Sequence, residues 1–379
     1  MSLRLTDEQH GIVSTVRAFA AKECATREQR LALTDGGRSH TNMEIARKMA
    51  DLGFLGLSIP EEYGGSGGGL FDACLFLEEL AYNRIPLGSF GVTLIVAHMY
   101  LNFADEDLKK EILGAVVAGM PTAVAMSEPG SGSDVASLRC KAEPDESGYR
   151  INGQKTWISN AHISDHILLV ARTEDTGHKH QGISMISVPT STPGVEIRPI
   201  ATMGLEVNDV FFTDCVVGSE RLVGQQGQGW QQLILGLNTE RVIVGALALG
   251  QARRAFDDTV AYVRQREQFG RPVGSFQAVS HPLADLACEI EATRLLVHDV
   301  AQRVDENPGV LMPREASMVK LKATELAKRA ALEGMQLMGG MGYTEEGGME
   351  EQVRATLPGT IAGGTSQVQR DIIAKSFGL

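Results

Sequence analysis

One carboxylate stands where its chemistry would be altered: Glu240, in the run "LILGLNTERVIVGALALG". Leu233, Leu237, Ile243, Val244 and Leu247 recur at helical spacing and make an apolar stripe with Glu240 in its middle. Arg241 follows directly but projects about 100° further round the helix, so it is not a built-in neutralising partner. A carboxylate so placed either takes a cation from another element, as a structural ion pair, or has its pKa raised by desolvation. A raised pKa suits a general base that works on a weakly acidic C–H.

A second chemistry is offered by backbone groups. In "GTIAGGTSQVQR", residues 359–370, Gly363 and Gly364 precede Thr365, Ser366 and a short amphipathic run. This reads as a Gly-rich loop opening a helix, whose free N–H groups can hold an anion, or as a loop that merely marks a turn. In "AMSEPGSGSD", residues 125–134, Ser127, Ser131 and Ser133 supply hydroxyls while Gly130 and Gly132 free the backbone. That suits a polar, flat or anionic ligand, or else a surface loop. His162 and His166 are four apart, but "SNAHISDHILLV" reads as a loop entering a strand, so solvated histidines and no metal site are expected. Cys24, Cys74, Cys140, Cys215 and Cys288 contain no CxxC pair and read as buried thiols.

The elements that must position these groups fall into three segments. Residues 1–118 read as an N-terminal helical domain, opened by the capping box Thr6-Asp7-Glu8-Gln9 and continued by runs at 43–52, 70–82, 91–103 and 106–117. Residues 119–227 change to a period of two. "HILLVART", "GISMISVP", "VEIRPI" and "DVFFTDCVV" read as strands, and Asn152-Gly153 in "YRINGQKTWIS" as a hairpin turn. Residues 228–379 return to long helices, at 231–264, 277–305 and 314–338, for which antiparallel packing is the simplest outcome. The expected fold is α+β and multi-domain: an N-terminal helical bundle, a middle β-barrel or sandwich, and a C-terminal four-helix bundle.

With 379 residues, 43% hydrophobic, and a formal charge of -12, the chain can build such cores, and its longest cationic runs, such as Arg253-Arg254 and Lys109-Lys110, are isolated pairs. Nucleic-acid binding is therefore not expected. Nor is a membrane span or signal peptide, and the expected location is cytoplasmic.

"AMSEPGSGSD" resembles the first flavin-contacting motif of the acyl-CoA dehydrogenase family. "GQKTWISNA" resembles the second, "QREQFGRPVGSFQAVS" the third, and "QLMGGMGYTEE" with "GGTSQVQR" the C-terminal pair, all in the family's order. The resemblance covers essentially the whole chain and implies FAD as cofactor. Met126 and Ser127 would contact the pyrimidine side of the ring, with Trp157 along it and Ser159 near N5. Arg266, Phe269, Gln277, Gln336 and Gly340 would reach the FAD of a neighbouring subunit, and Thr365 and Gln367 the subunit's own. A homo-oligomer, with a tetramer favoured, follows from that division. Read without the resemblance, Arg266 is a helix-end cation and Phe269 a core residue.

Many family members carry the catalytic glutamate where this chain has Gly363. In the branch resembling isovaleryl-CoA and long-chain acyl-CoA dehydrogenases the base lies on the helix instead, and "TER" with "AGG" matches that arrangement. The resemblance then implies that Glu240 removes the α-proton of an acyl-CoA, with the Gly363 N–H as an oxyanion donor. Ser133, Asn238 and Arg241 would contact CoA, and an electron-transferring flavoprotein would be the acceptor. Ala355, Pro358, Ala362 and Glu206 depart from the common pattern and bear on substrate size and carrier. The small residues leave room for a branched acyl group, with helix 91–103 lining its tail. Alternatives are a dehydrogenase of acyl- or aminoacyl-carrier-protein thioesters, a flavin oxidase or oxygenase, and a non-enzymatic flavin-containing binding protein of the same fold.

Overall fold

In the computed structural model, which describes residues 5–379, helices form where the apolar period is near 3.6. α1 (Asp7–Glu23) starts at Thr6, whose side chain accepts from the Gln9 N–H at 3.2 Å while Gln9 Oε1 accepts from the Thr6 N–H at 3.0 Å. The predicted capping box is thus formed, and Thr26 with Gln29 repeats it for α2 (Arg27–Leu33). α3 (Met43–Asp51), α4 (Leu70–Tyr82), α5 (Phe90–Phe103) and α6 (Glu106–Val117) lie within a residue or so of their predicted bounds.

The middle sheet is built from β1 (Ala123–Ala125), β2 (Lys141–Asp145), β3 (Gly148–Ser159), β4 (His166–Arg172), β5 (Ile183–Pro189), β6 (Val195–Ile200), β7 (Val207–Val217) and β8 (Leu222–Val223). Its order is β6-β7-β3-β2-β4-β5-β8, with β1 parallel to β4. Ile151, Ile167, Leu169, Ile186, Val210 and Phe212 meet in its core. The hairpin expected at Asn152-Gly153 does not exist: both residues run inside β3, and the chain reverses between Asp145 and Gly148. There the Ser147 N–H and hydroxyl donate to Asp145 Oδ1 at 2.8 and 2.6 Å, a turn made by the aspartate. Asn152 instead bonds across to Asp214 on β7, accepting from its N–H at 2.9 Å. Gly153 is glycine because a Cβ there would stand 2.8 Å from the Cys140 backbone, at a register shift between β3 and β7.

The long helices are α7 (Gly229–Gln265), α8 (Gln277–Glu306) and α9 (Pro313–Met338). β9 (Glu267–Gln268) and β10 (Arg271–Pro272) form a small hairpin between the first two. The short α10 (Gly340–Tyr343), α11 (Met349–Thr356) and α12 (Ser366–Lys375) close the chain. α7 is long and apolar enough to cross a membrane by length and composition, yet most of that stretch is buried inside the protein, as in a core helix. Helical N- and C-terminal regions therefore flank a middle sheet along the chain, as expected.

The chain divides into two compact units. One holds the described residues through Arg38 with Gly69–Pro86 and Asn238–Leu379, the other Ser39–Gly68 with Leu87–Leu237. Within the first, a buried charge network joins four helices: Glu78 of α4 takes a hydrogen bond from Arg253 of α7 and lies 2.8 Å from His298 Nε2 of α8. Beside it, Arg17 of α1 meets Glu79 at 2.7 Å. Burial works against the Glu78 carboxylate, but these partners outweigh it and hold the group below its usual range.

Candidate active site

α7 carries Glu240 into the interior at 9% exposure, and its Oε2 is buried without a hydrogen-bond partner. Burial raises the carboxyl pKa, opposed by the charges of Arg241 and Lys320. Arg241 was expected to stand apart, but in the same low-dielectric surroundings its charge still reaches Glu240. Its Nη1 donates to Asn238 Oδ1 at 3.3 Å, so the three residues assigned to substrate and base on this helix are neighbours.

The Gly363-Gly364 loop comes to the same carboxylate. An ideal Cβ built on Gly363 would stand 3.1 Å from Glu240 Oε1, and Gly363 has φ +62°. The helix position and the loop position thus face one small volume. Lys320 of α9, which sequence reasoning missed, is fully buried beneath the loop, and its Nζ donates to the Gly364 carbonyl at 2.7 Å. Gln369 Nε2 adds bonds to the Gly363 and Gly364 carbonyls, each at 3.1 Å. With its carbonyls held from below, the loop has a defined direction for its N–H groups. The only sequence signal for Lys320 was a lysine on the apolar face of "EASMVKLKATELA".

In the other unit the first two motifs are physically sewn together. Lys155 of β3 is fully buried, and its Nζ donates to the Met126 carbonyl at 2.9 Å and to Glu128 Oε1 at 2.8 Å. Glu128 also accepts from the Arg139 and Cys140 N–H groups at 2.7 and 2.8 Å, while the Thr156 N–H donates to the Ser127 carbonyl at 2.9 Å. Lys155 and Glu128 lie inside the quoted motifs but carried no sequence signal of their own. Two residues on, Trp157 has φ +62° and is 61% exposed. A bulky side chain held in the left-handed region beside a register shift is an outlier of the kind that clusters at ligand-binding sites. Ser159 ends the strand, half-buried, and Ser133 lies exposed on the loop beyond Ser127.

Arg266, Phe269, Gln277, Gln336 and Gly340 all lie exposed on the first unit. The core reading of Phe269 is overturned: it is 94% exposed with φ +54°, sharing the β9–β10 turn with Gly270 at φ +78°. Arg266 directly follows the last residue of α7, its N–H donating to the Tyr262 carbonyl at 2.9 Å, as the helix-end reading had it. Thr365 caps α12 by accepting from the Val368 N–H at 3.2 Å. With Gln367 it borders a cavity of about 490 Å³ that Lys328 and Arg329 also line. Ser366 Oγ beside them is buried and unpartnered. Glu325 and Glu333 line the cavity as well, and Arg329 lies 3.5 Å from Glu333, so the cations there are balanced; the helix start and the orphaned hydroxyl are what fit the hydroxyl-rich half of FAD.

Two other expectations are corrected. His166 is not solvated: it lies 3.1 Å from Glu111, and burial lowers its pKa. His162 sits near Glu206 and Asn208, and no cluster of metal-binding side chains occurs among the described residues. Four cysteines are buried as expected, but Cys288 is exposed on α8.

Comparison with known proteins matches residues 6–120, 123–215 and 227–378 to the N-terminal, middle and C-terminal domains of acyl-CoA dehydrogenase. A probable acyl-CoA dehydrogenase of Bacillus subtilis is 35% identical over 100% of both chains. A mitochondrial 2-methylacyl-CoA dehydrogenase of Solanum tuberosum is 32% identical over 99% of this chain and 92% of its own. Among solved structures, an acyl-CoA dehydrogenase from Geobacillus kaustophilus superposes with a TM-score of 0.93 at 32% identity, covering 100% of both chains. The prolyl acyl carrier protein oxidase AnaB gives 0.92 at 25% identity, over 99% of this chain and 100% of its own.

Proposed function

The chain belongs to the acyl-CoA dehydrogenase family of FAD-dependent oxidoreductases, and on that premise we propose that it converts an acyl-CoA thioester to the trans-2-enoyl-CoA. The carrying observation is the meeting of Glu240 with the Gly363 position, 3.1 Å from a Cβ built there. Glu240 takes the α-proton on its carboxylate, and the electron pair left on the α-carbon forms the double bond as the β-hydrogen departs with its own pair. FAD, when bound, would supply the hydride acceptor.

The Gly363 N–H, aimed by the carbonyl bonds below it, donates to the thioester oxygen as charge builds there. A fixed donor of this kind contributes about 3 kcal/mol to the transition state. Met126, Ser127, Trp157 and Ser159 would hold the flavin ring, and Asn238 with Arg241 would contact the CoA part, with Ser133 a further candidate contact. An electron-transferring flavoprotein would be the electron acceptor. Anaerobic mixing with a panel of CoA and carrier-protein thioesters, followed by flavin bleaching, tests the reading. CoA thioesters should bleach the flavin. Bleaching by carrier-protein thioesters alone would move the enzyme to that substrate class, toward which the likeness to AnaB points.

The exposed Arg266, Phe269, Gln277, Gln336 and Gly340 support a cofactor site shared between copies, and we read the assembly as a homotetramer. Arg266→Ala is expected to release FAD while the far-UV circular dichroism stays native. Purification of a monomer with stoichiometric FAD would exclude the shared site.

Ala362 is exposed and small next to Gly363, which favours a branched or bulky acyl group. Ala362→Tyr should lower kcat/KM for branched acyl-CoA about tenfold, the loss expected from filling space for one or two methyl groups. A native preference for short straight chains, unmoved by Ala362→Tyr, would refute this specificity.

A further inference from the structure

We propose that Lys320 is a positioning residue of this site, whose ammonium both fixes the Gly363-Gly364 dipeptide and keeps the Glu240 carboxylate ionised. This rests on the reading of Glu240 as the base.

The geometry begins with helix packing. A Cβ on Gly245 of α7 would stand 2.3 Å from Val319 Cγ1, so the two helices approach as closely as glycine allows, about one and a half turns along from Glu240. Lys320, the next residue on α9, is thereby brought under the loop with no exposed surface. Burying an ammonium is costly, and holding a carbonyl does not require one. Gln369, a neutral side chain, already donates to the Gly364 carbonyl at 3.1 Å. What a neutral donor cannot supply is charge.

The charged groups acting on Glu240 are Arg241 of its own helix and Lys320 of α9, and those acting on Lys320 are Glu240, Arg241 and Glu325. Arg241 is tied to Asn238, and Glu325 is paired with Arg370 at 2.8 Å. Burial pushes the Lys320 pKa down to about 8, which still leaves it mainly protonated at neutral pH. An opposite charge close by favours the anion, so removing Lys320 raises the Glu240 pKa further and leaves less base at a given pH.

The test uses FAD-loaded Lys320→Gln, which keeps a donor for Gly364 without charge, and Lys320→Arg, which keeps the charge. The acid limb of the pH profile for anaerobic flavin reduction should move up by about one unit in Lys320→Gln, with roughly tenfold slower reduction on that limb and near-native rates well above it. Lys320→Arg should restore the limb. A second readout needs no turnover: the infrared carboxyl band that disappears in Glu240→Gln reports the protonation of Glu240, and its midpoint should move up in Lys320→Gln. Lys320→Met serves as a further uncharged variant. An unchanged carboxyl midpoint in the uncharged variants would overturn the proposal, as would a rate loss equal at every pH. Should Glu240→Gln reduce its flavin at the native rate, the assignment of the base fails instead, and the infrared midpoint still decides whether Lys320 sets the charge of Glu240.

Discussion

Glu240→Gln is expected to slow flavin reduction by acyl-CoA about 100- to 10,000-fold, the cost of losing a general base. The amide keeps the shape and fills the same volume, so FAD content and substrate binding should stay native. The contact of Glu240 Oε1 with the Gly363 position permits a stronger version of the test. Gly363→Glu alone crowds Glu240 and forces a side chain onto a residue at φ +62°, a strain of about 1–2 kcal/mol. Combined with Glu240→Gly the crowding is relieved, and part of the lost rate should return, held below native by the backbone strain. Stopped-flow absorbance at the oxidised-flavin band checks all three variants. A Glu240→Gln enzyme that reduces at the native rate would refute the assignment. The sign of the pH dependence is also set: the base acts ionised and burial raises its pKa, so native kcat/KM should climb with pH through a midpoint above the ordinary carboxylate value.

Lys155→Met is expected to cost about 3–5 kcal/mol, the penalty for leaving a buried ion without its partner. The methionine fills the volume but removes the donor to the Met126 carbonyl and the countercharge of Glu128. Because those bonds join the two segments expected to bed the flavin ring, FAD should also be bound more weakly. Adding Glu128→Gln removes the orphaned charge and should recover a substantial share of the stability. Urea unfolding followed by sheet circular dichroism measures both proteins. Equal midpoints for the native and single-substituted chains would show that the pair does not brace the sheet.

Much of the architecture was legible because helix boundaries are local. The Thr6–Gln9 capping reciprocity acts over three residues, and α4 and α6 end where the apolar period ends. Strand register is not local. Asn152-Gly153 looks like a turn in isolation, yet Asp214 and Cys140, distant in sequence, hold it inside β3. Phe269 looks like core by composition, and the positive φ of its two-residue turn puts it outside instead.

For the site, sequence alone determined that a carboxylate would lie on the apolar stripe of α7 and that a glycine loop would offer backbone donors, since periodicity and residue type suffice for both. Only the tertiary structure decided that these meet, that Lys320 reaches the loop, and that Lys155 joins the first motif to the second. Those contacts depend on how closely α7 and α9 approach and on where β3 lies relative to the exit of β1. Close approach of helices and the register of strands are properties of packing between segments far apart in the chain, which no short window of residues contains.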